Sequence, residues 1–230
     1  MDYRLNFDAV WRDFDLLLSG LGLGLALAVV SIFIGCFIGL IAAFAMLSKN
    51  RIWRGIAVTY VTVIRNTPIL VLILFTFFAL PQLGVRLGKI ESFVLTLTLY
   101  SGAYLTEVFR GGLIALPTGL REAGLAIGMT EWGTKVSVII PVMIRNVLPA
   151  LSNNFISLFK DTSLAAAIAV PELTFYARQI NVNTFRVIES WTVASLMYVF
   201  ACYIIAAGLR QLERKLLILP EKLLSDRHLN

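Results

Sequence analysis

Hydrophobic and polar residues alternate along this chain in blocks, and the blocks set its elements. Met1–Asp15 is a polar lead-in carrying Asp2, Asp8, Asp13 and Asp15, and Leu16–Ser48 then has no charge at all. That run exceeds the roughly 20 residues a helix needs to cross a bilayer, so a first transmembrane helix is predicted that tilts or lies partly in the interface. Within it, Gly20/Gly24 and Gly35/Gly39 form two small-xxx-small faces suited to close helix packing. A second span is predicted over Ile56–Leu80, interrupted by Arg65 and Pro68, with a turn at Pro81-Gln82-Leu83-Gly84. A third lies between Lys89 and Arg110, where only Ser92–Thr106 is uncharged, which places Glu107 at membrane depth near one end. Asn146–Pro171 makes a fourth span with Lys160 and Asp161 in its middle, so it must bury both charges or break around them. Glu172–Glu189 reads as a polar connection, and Ser190–Leu209 as a fifth span left through Arg210, Arg214 and Lys215.

Between the third and fourth spans, Arg121–Pro141 is the longest stretch outside the apolar segments that still reads as ordered helix. It predicts a short helix, a break at Gly128, and a second short helix ended by Pro141. Small residues at Ala123, Gly124, Ala126 and Gly128 flatten one side of the first helix, and Arg121 and Glu122 give its start one base and one acid. Such a helix suits insertion into another protein's groove, with an amphipathic helix lying on lipid as the alternative.

Composition agrees with the blocks. Across 230 residues the hydrophobic content is 58% and the mean hydropathy +0.82, too apolar for an ordinary soluble domain. An all-α integral membrane protein follows, with one transmembrane domain over residues 16–215, a loop at about 110–145 and a tail at 216–230. The first apolar segment is too long for a signal-peptide core and is expected to be retained. Cys36 and Cys202 both sit in apolar runs, implying neither a disulfide framework nor a metal site. The single histidine, His228, lies in the tail, away from any relay or metal role. The net charge of +6 comes from bases scattered among loops, which points to membrane topology and away from nucleic acid. Twelve Lys and Arg residues fall in the 49–54 loop, the 110–145 loop and the tail. Six (Arg4, Arg12, Arg86, Lys89, Arg178, Arg186) fall on the opposite side, and Arg65 and Lys160 lie within spans. This bias predicts an outer amino terminus and a cytoplasmic carboxyl terminus, with the 121–141 loop inside.

No nucleotide-binding signature, Ser/His/Asp set or metal spacing is present. Gly84–Ile90 has three residues between its glycines where a phosphate loop has four, and Ile where it has Ser or Thr. The chain is therefore expected to catalyse no covalent reaction and to bind no cofactor of its own. The chemistry concentrates instead in intramembrane polar residues. Lys160-Asp161-Thr162-Ser163 predicts a helix break, with Asp161, Thr162 or Ser163 as N-cap and Leu164–Val170 as a half-helix aimed at an anionic group. On that reading Lys160 and the helix end serve a carboxylate and Asp161 an ammonium; the alternative is a structural pair, with Asp161 bound to Arg65 or Lys160. Arg65-Asn66-Thr67-Pro68 offers hydrogen-bonding groups at a kink, as a cavity wall or as a snorkelling arginine. Glu107 pairs with Arg110 three residues on or faces a cavity, and Tyr104, one turn above it, lines the cavity or packs.

The 121–141 spacing resembles the cytoplasmic EAA loop of ABC-importer permeases, with Glu122, Ala123, Gly128 and Pro141 in place. Gly124 stands for the second alanine, Val138 for the isoleucine and Ile140 for the leucine. Arg65-Asn66-Thr67-Pro68, Ala103-Tyr104, Glu107-Val-Phe-Arg110-Gly-Gly and Lys160-Asp161-Thr162-Ser163-Leu164 are similar to the polar amino-acid uptake branch of that family, over about residues 16–215. The resemblance implies a five-helix type I importer permease of the bacterial cytoplasmic membrane. It also implies two permease subunits, identical or related, a pair of ATPase subunits carrying ATP and Mg²⁺, and an extracytoplasmic amino-acid-binding protein. In this likeness Glu122 is the polar anchor of the coupling loop, Ala123 and Gly124 its contact face, and Gly128 its bend. An ion-coupled secondary carrier and a non-transporting scaffold are the competing classes.

Overall fold

The computed structural model of the chain describes residues 3–225, which are mostly helical and include no strand. Short α1 (Asp8–Arg12) leads into α2 (Phe14–Met46), which at 33 residues is about 50 Å long. A basic loop follows, and Asn50 caps α3 (Arg51–Asn66) by accepting from the Ile52 N–H. Then come α4 (Ile69–Leu74), α5 (Lys89–Ile114), α6 (Thr118–Ala126), α7 (Glu131–Thr134), α8 (Ile140–Asp161), α9 (Leu173–Thr184) and α10 (Val187–Ser225). Three stretches are long and apolar enough to cross a membrane: Phe14–Met46, Glu131–Ile168 and Val187–Lys215. The bent pair Arg51–Asn66 and Ile69–Leu83 makes a fourth. His228 and the last residues of the tail, like Asp2 at the other terminus, lie outside the described residues.

The axis of the fold is the parallel pair α2 and α5, and the glycines explain how closely the two approach. A Cβ on Gly35 would lie 2.1 Å from Ser101 Oγ; one on Gly39 would lie 3.0 Å from Gly102 O and from Leu105 Cβ. The second small-residue face receives other elements: Gly20 abuts the Glu172–Leu173 backbone, and Gly24 sits under Thr162 Oγ1. Both predicted faces are thus used, each for a different neighbour. Ser101 Oγ donates to Thr98 O and is 3.2 Å from Ser31 O, adding a polar fastening to the α2–α5 seam.

Four expectations change. Pro68 does more than kink the second span: it ends α3, and the chain resumes in α4 at 103° to the earlier helix. Thr67, in front of the proline, is forced into extended backbone (φ −104°, ψ 129°), as steric conflict with the ring demands. The fourth span begins earlier than Asn146, because helix runs from Glu131 to Ile168 through a π turn at Lys135–Ile139. Pro141 lies inside this continuous run, just after the π turn, and so it ends no helix. Glu172–Glu189 is mostly helix α9, not a polar connection. The polar lead-in also folds: Val10 is fully buried against Leu17, Leu173, Ala177, Ile180, Val193 and Ala194. Glu189, buried at the start of α10, accepts from the Asn6 N–H and the Tyr3 hydroxyl, which fastens the lead-in down.

The two charge groups read from the sequence fall at opposite ends of this bundle. Arg186 bonds Arg4 O, and Lys89 bonds Ala169 O beside Arg178, at the end where α2 begins. Lys49, Arg121 and Lys135 gather around the end of α2.

Candidate functional site: a pocket of opposed charges and a hinged loop

The break at Pro68 creates the pocket. It leaves the last carbonyls of α3 without helical partners, and side chains cover two carbonyls of the final turns: Asn66 Nδ2 donates to Thr62 O, and Thr67 Oγ1 to Val63 O. Arg65, freed at the same end, lays its guanidinium over the Tyr104 ring, 5.0 Å from the centroid. Tyr104 is held on α5 by Tyr100, with ring centroids 4.7 Å apart and the hydroxyls 3.1 Å apart. Arg65, Asn66, Thr62, Tyr104, Glu107, Met46 and Val61 enclose about 300 Å³. Glu107 accepts from Arg110 Nε and Nη2, both on Oε2, at 3.0 and 2.6 Å. Its other oxygen, Oε1, has no partner among the described residues. The intrahelical pair and the cavity role therefore coexist: one carboxylate oxygen is fastened and the other stays free. The pocket offers a cation, an anion, an amide and a phenol within one small space.

Lys160–Ser163 stand apart from it. α8 runs unbroken to Asp161 and tightens into a 3₁₀ turn over Thr162–Ile168, so no helix begins there. The N-cap expectation fails for a local reason: Thr162 Oγ1 donates backwards to Phe159 O, satisfying a carbonyl where a cap would accept from an N–H. Thr162 is fully buried under Gly24 and serves packing. Lys160 lies in the last turn, where the helix dipole favours a cation. Asp161 forms no ion pair with Arg65 or Lys160 but lies within electrostatic reach of Tyr100. Asp161 is thus not among the residues lining the pocket, and Tyr100, bonded to Tyr104, lies within its reach.

The 121–141 loop is built as a hinge. α6 ends in a Schellman motif, with Gly128 N–H on Leu125 O and Met129 N–H on Gly124 O. Gly128 takes φ +85°, as its predicted bend requires. Thr130 then caps α7 by accepting from the Gly133 N–H at 3.0 Å. Arg121 pairs with Glu131 across the bend. Glu122 and Ala123 are exposed. Gly124 is not: a Cβ there would lie 2.6 Å from Thr134 Cγ2, so its smallness lets α6 dock on α7 and leaves no outer contact face.

One cluster escaped the sequence reading. Glu172, fully buried, caps α9 by accepting from Thr174 N–H (2.9 Å) and Phe175 N–H (2.7 Å). Tyr198 donates to it at 2.7 Å, and the Tyr198 hydroxyl is 2.9 Å from Thr174 Oγ1. The available signal was an acidic residue after Pro171 and before an apolar run, a helix start.

Apolar outer faces, an inner pocket of opposed charge and a hinged loop at one end are the features of a membrane transport subunit. Residues 35–218 match the family of binding-protein-dependent transport system inner membrane components, and the chain belongs to it. The glutamine transport system permease protein GlnP of Escherichia coli (strain K12) is 37% identical over 218 residues, covering 94% of this chain and all of that one. The L-cystine transport system permease protein TcyB of Bacillus subtilis (strain 168) is 37% identical over 214 residues, covering 92% of each. A chain from the crystal structure of an amino acid ABC transporter with histidines superposes with a TM-score of 0.84 at 31% identity, over 93% of this chain and 100% of that one. A chain of the inward facing MetNI methionine ABC transporter shares the fold, with a TM-score of 0.74 at 20% identity over 92% and 99%.

Proposed function

We propose that this chain is the transmembrane subunit of an ATP-driven importer that carries a polar amino acid across the bacterial cytoplasmic membrane. α5, too polar to qualify by composition, is the fifth span; buried against α2, it needs little lipid-facing apolar surface. The amino terminus lies outside and the tail in the cytoplasm, as the separation of the two charge groups along α2 supports. Two such subunits, identical or related, work with two ATPase chains, which hold ATP and Mg²⁺, and with an extracytoplasmic binding protein. ATP-driven closure moves the docked 121–141 loops, with Glu122 and Ala123 at the contact and Gly128 at the bend, and switches the cavity between outward and inward faces. Substrate need not bind tightly, because only differential affinity for the two states shifts their balance.

The observation that carries this reading is the pocket in which Arg65 and the free oxygen of Glu107 face one volume, complementary to the carboxylate and ammonium of a zwitterion. Tyr104 and Asn66 supply hydrogen bonds, and Asp161, beyond Tyr100, is the next polar station for the ammonium. Relatives named for glutamine and cystine transport support an amino-acid cargo. The test is uptake by the reconstituted complex of permease, ATPase and binding protein. Glu107→Gln and Arg65→Ala should each lower ATP-dependent uptake at least about tenfold, the loss of one charged hydrogen bond, while the ATPase stays attached. Unchanged uptake in both variants would overturn the site, and transport driven by an ion gradient without ATP would overturn the class.

A further inference from the structure

A groove of about 920 Å³ separates the end of α2 from the α7–α8 stretch. Its walls are apolar: Ile41 and Phe44 on one side, Ile139, Ile140 and Trp132 on the other. Ile41 is 71% exposed and Trp132 73%, so this is open surface. Its rim is basic. Arg121 and Glu131 neutralise each other, but Lys49 and Lys135, which also line the groove, have no carboxylate within ion-pair distance among the described residues. The groove therefore carries two unbalanced positive charges above a hydrocarbon-like wall, with an indole at the boundary where interfacial tryptophans reside.

From this charge complementarity we infer that the groove is a binding site for an anionic glycerophospholipid of the cytoplasmic leaflet. The phosphate lies between Lys49 and Lys135, and an acyl chain runs along Ile41, Phe44 and Ile140. The same segment that forms the coupling loop forms one wall, so the lipid braces α7 against α2. The inference rests on the proposed topology, which puts this end of α2 at the cytoplasmic surface; basic recesses between helices on that side attract acidic headgroups.

The test uses the whole transporter complex with Trp132 as the reporter, after Trp11→Phe, Trp53→Phe and Trp191→Phe. The complex is placed in phosphatidylcholine vesicles containing a small fraction of either brominated phosphatidylglycerol or brominated phosphatidylcholine. Brominated phosphatidylglycerol should quench Trp132 at lower mole fraction. Lys49→Gln and Lys135→Gln should each reduce that preference about fivefold, the contribution of one surface lysine, whereas Lys49→Arg and Lys135→Arg should keep it. Equal quenching by the two lipids overturns the site, as does a preference that survives both glutamine substitutions. So does absence of quenching by either lipid, the result expected if an ATPase subunit or second permease fills the groove. These outcomes are read in complexes that still show ATP-dependent uptake, and loss of uptake in the unsubstituted complex would instead count against the transport reading.

Discussion

Removing the Glu172 carboxylate tests how this bundle holds together the end where α2 begins. The group is fully buried and accepts three hydrogen bonds: Phe175 N–H on Oε1, and Thr174 N–H and the Tyr198 hydroxyl on Oε2. In Glu172→Ala, α9 loses its cap, which leaves two backbone donors without an acceptor at about 1–3 kcal/mol each. Allowing for partial relaxation around the missing side chain, the expected loss is about 3–5 kcal/mol. Glu172→Gln keeps the shape but points an NH₂ at one of the donors, and should cost about 1–3 kcal/mol. Tyr198→Phe removes one hydrogen bond to a charged acceptor, about 1.5–3 kcal/mol. In the Glu172→Ala background the Tyr198 hydroxyl still has Thr174 Oγ1, 2.9 Å away, so its removal should cost far less. The double-mutant cycle should therefore show a coupling of at least about 1 kcal/mol. Reversible unfolding in mixed micelles of sodium dodecyl sulfate and a mild detergent, followed by tryptophan fluorescence, measures all four corners. A loss below about 1 kcal/mol in Glu172→Ala, or strict additivity with Tyr198→Phe, would refute the assignment of this cluster as the fastening of α9 to α10.

Two further outcomes follow from backbone geometry. Gly39→Val places carbon within 3.1 Å of Gly102 O and Thr106 N, backbone atoms that move only if α2 and α5 separate, and should cost about 1–3 kcal/mol in the same assay; Gly22→Val, with nothing within 4 Å, should be near neutral. At Gly128, φ +85° costs a residue bearing a Cβ about 1–2 kcal/mol, so Gly128→Ala should weaken ATPase attachment, measured by co-purification, about fivefold or more, while Gly128→Asn should retain most of it.

What the sequence made legible depended on whether a signal was local. Gly20, Gly24, Gly35 and Gly39 announced close packing because spacing on one helix is a local property, and each glycine meets a neighbour. Gly128 announced a break for the same reason, and the left-handed backbone there is what makes it. The break at Pro68 was legible in kind, but its 103° depends on where α4 is held by the rest of the bundle. Asp161, Thr162 and Ser163 misled because a good capping residue is also a good back-bonding one, and the choice was made by Gly24 packing over Thr162. Pro141 misled because a proline beside a π turn can sit inside a continuing helix, and the sequence alone does not tell that from a stop. Glu172 and Tyr198 lie 26 residues apart, and their meeting is a tertiary fact. The pocket itself was half legible: Arg65, Asn66, Tyr104 and Glu107 were singled out separately, and the α3–α5 crossing assembled them.

The unbroken helical run from Glu131 to Asp161 has a mechanical consequence. Near its middle Val147 and Met143 bear on Gly112 of α5, where a Cβ would lie only 2.2 Å from Val147 Cγ1. That contact stands where a fulcrum would, with the arms toward Trp132 and Asp161 each about 20–25 Å long. A displacement of the loop end about it would return as an opposite swing at the Asp161 end. Both arms carry a compliant point, the π turn at Lys135–Ile139 on one and Pro149, which removes a helical hydrogen bond, on the other, so the run would flex on either side of the contact.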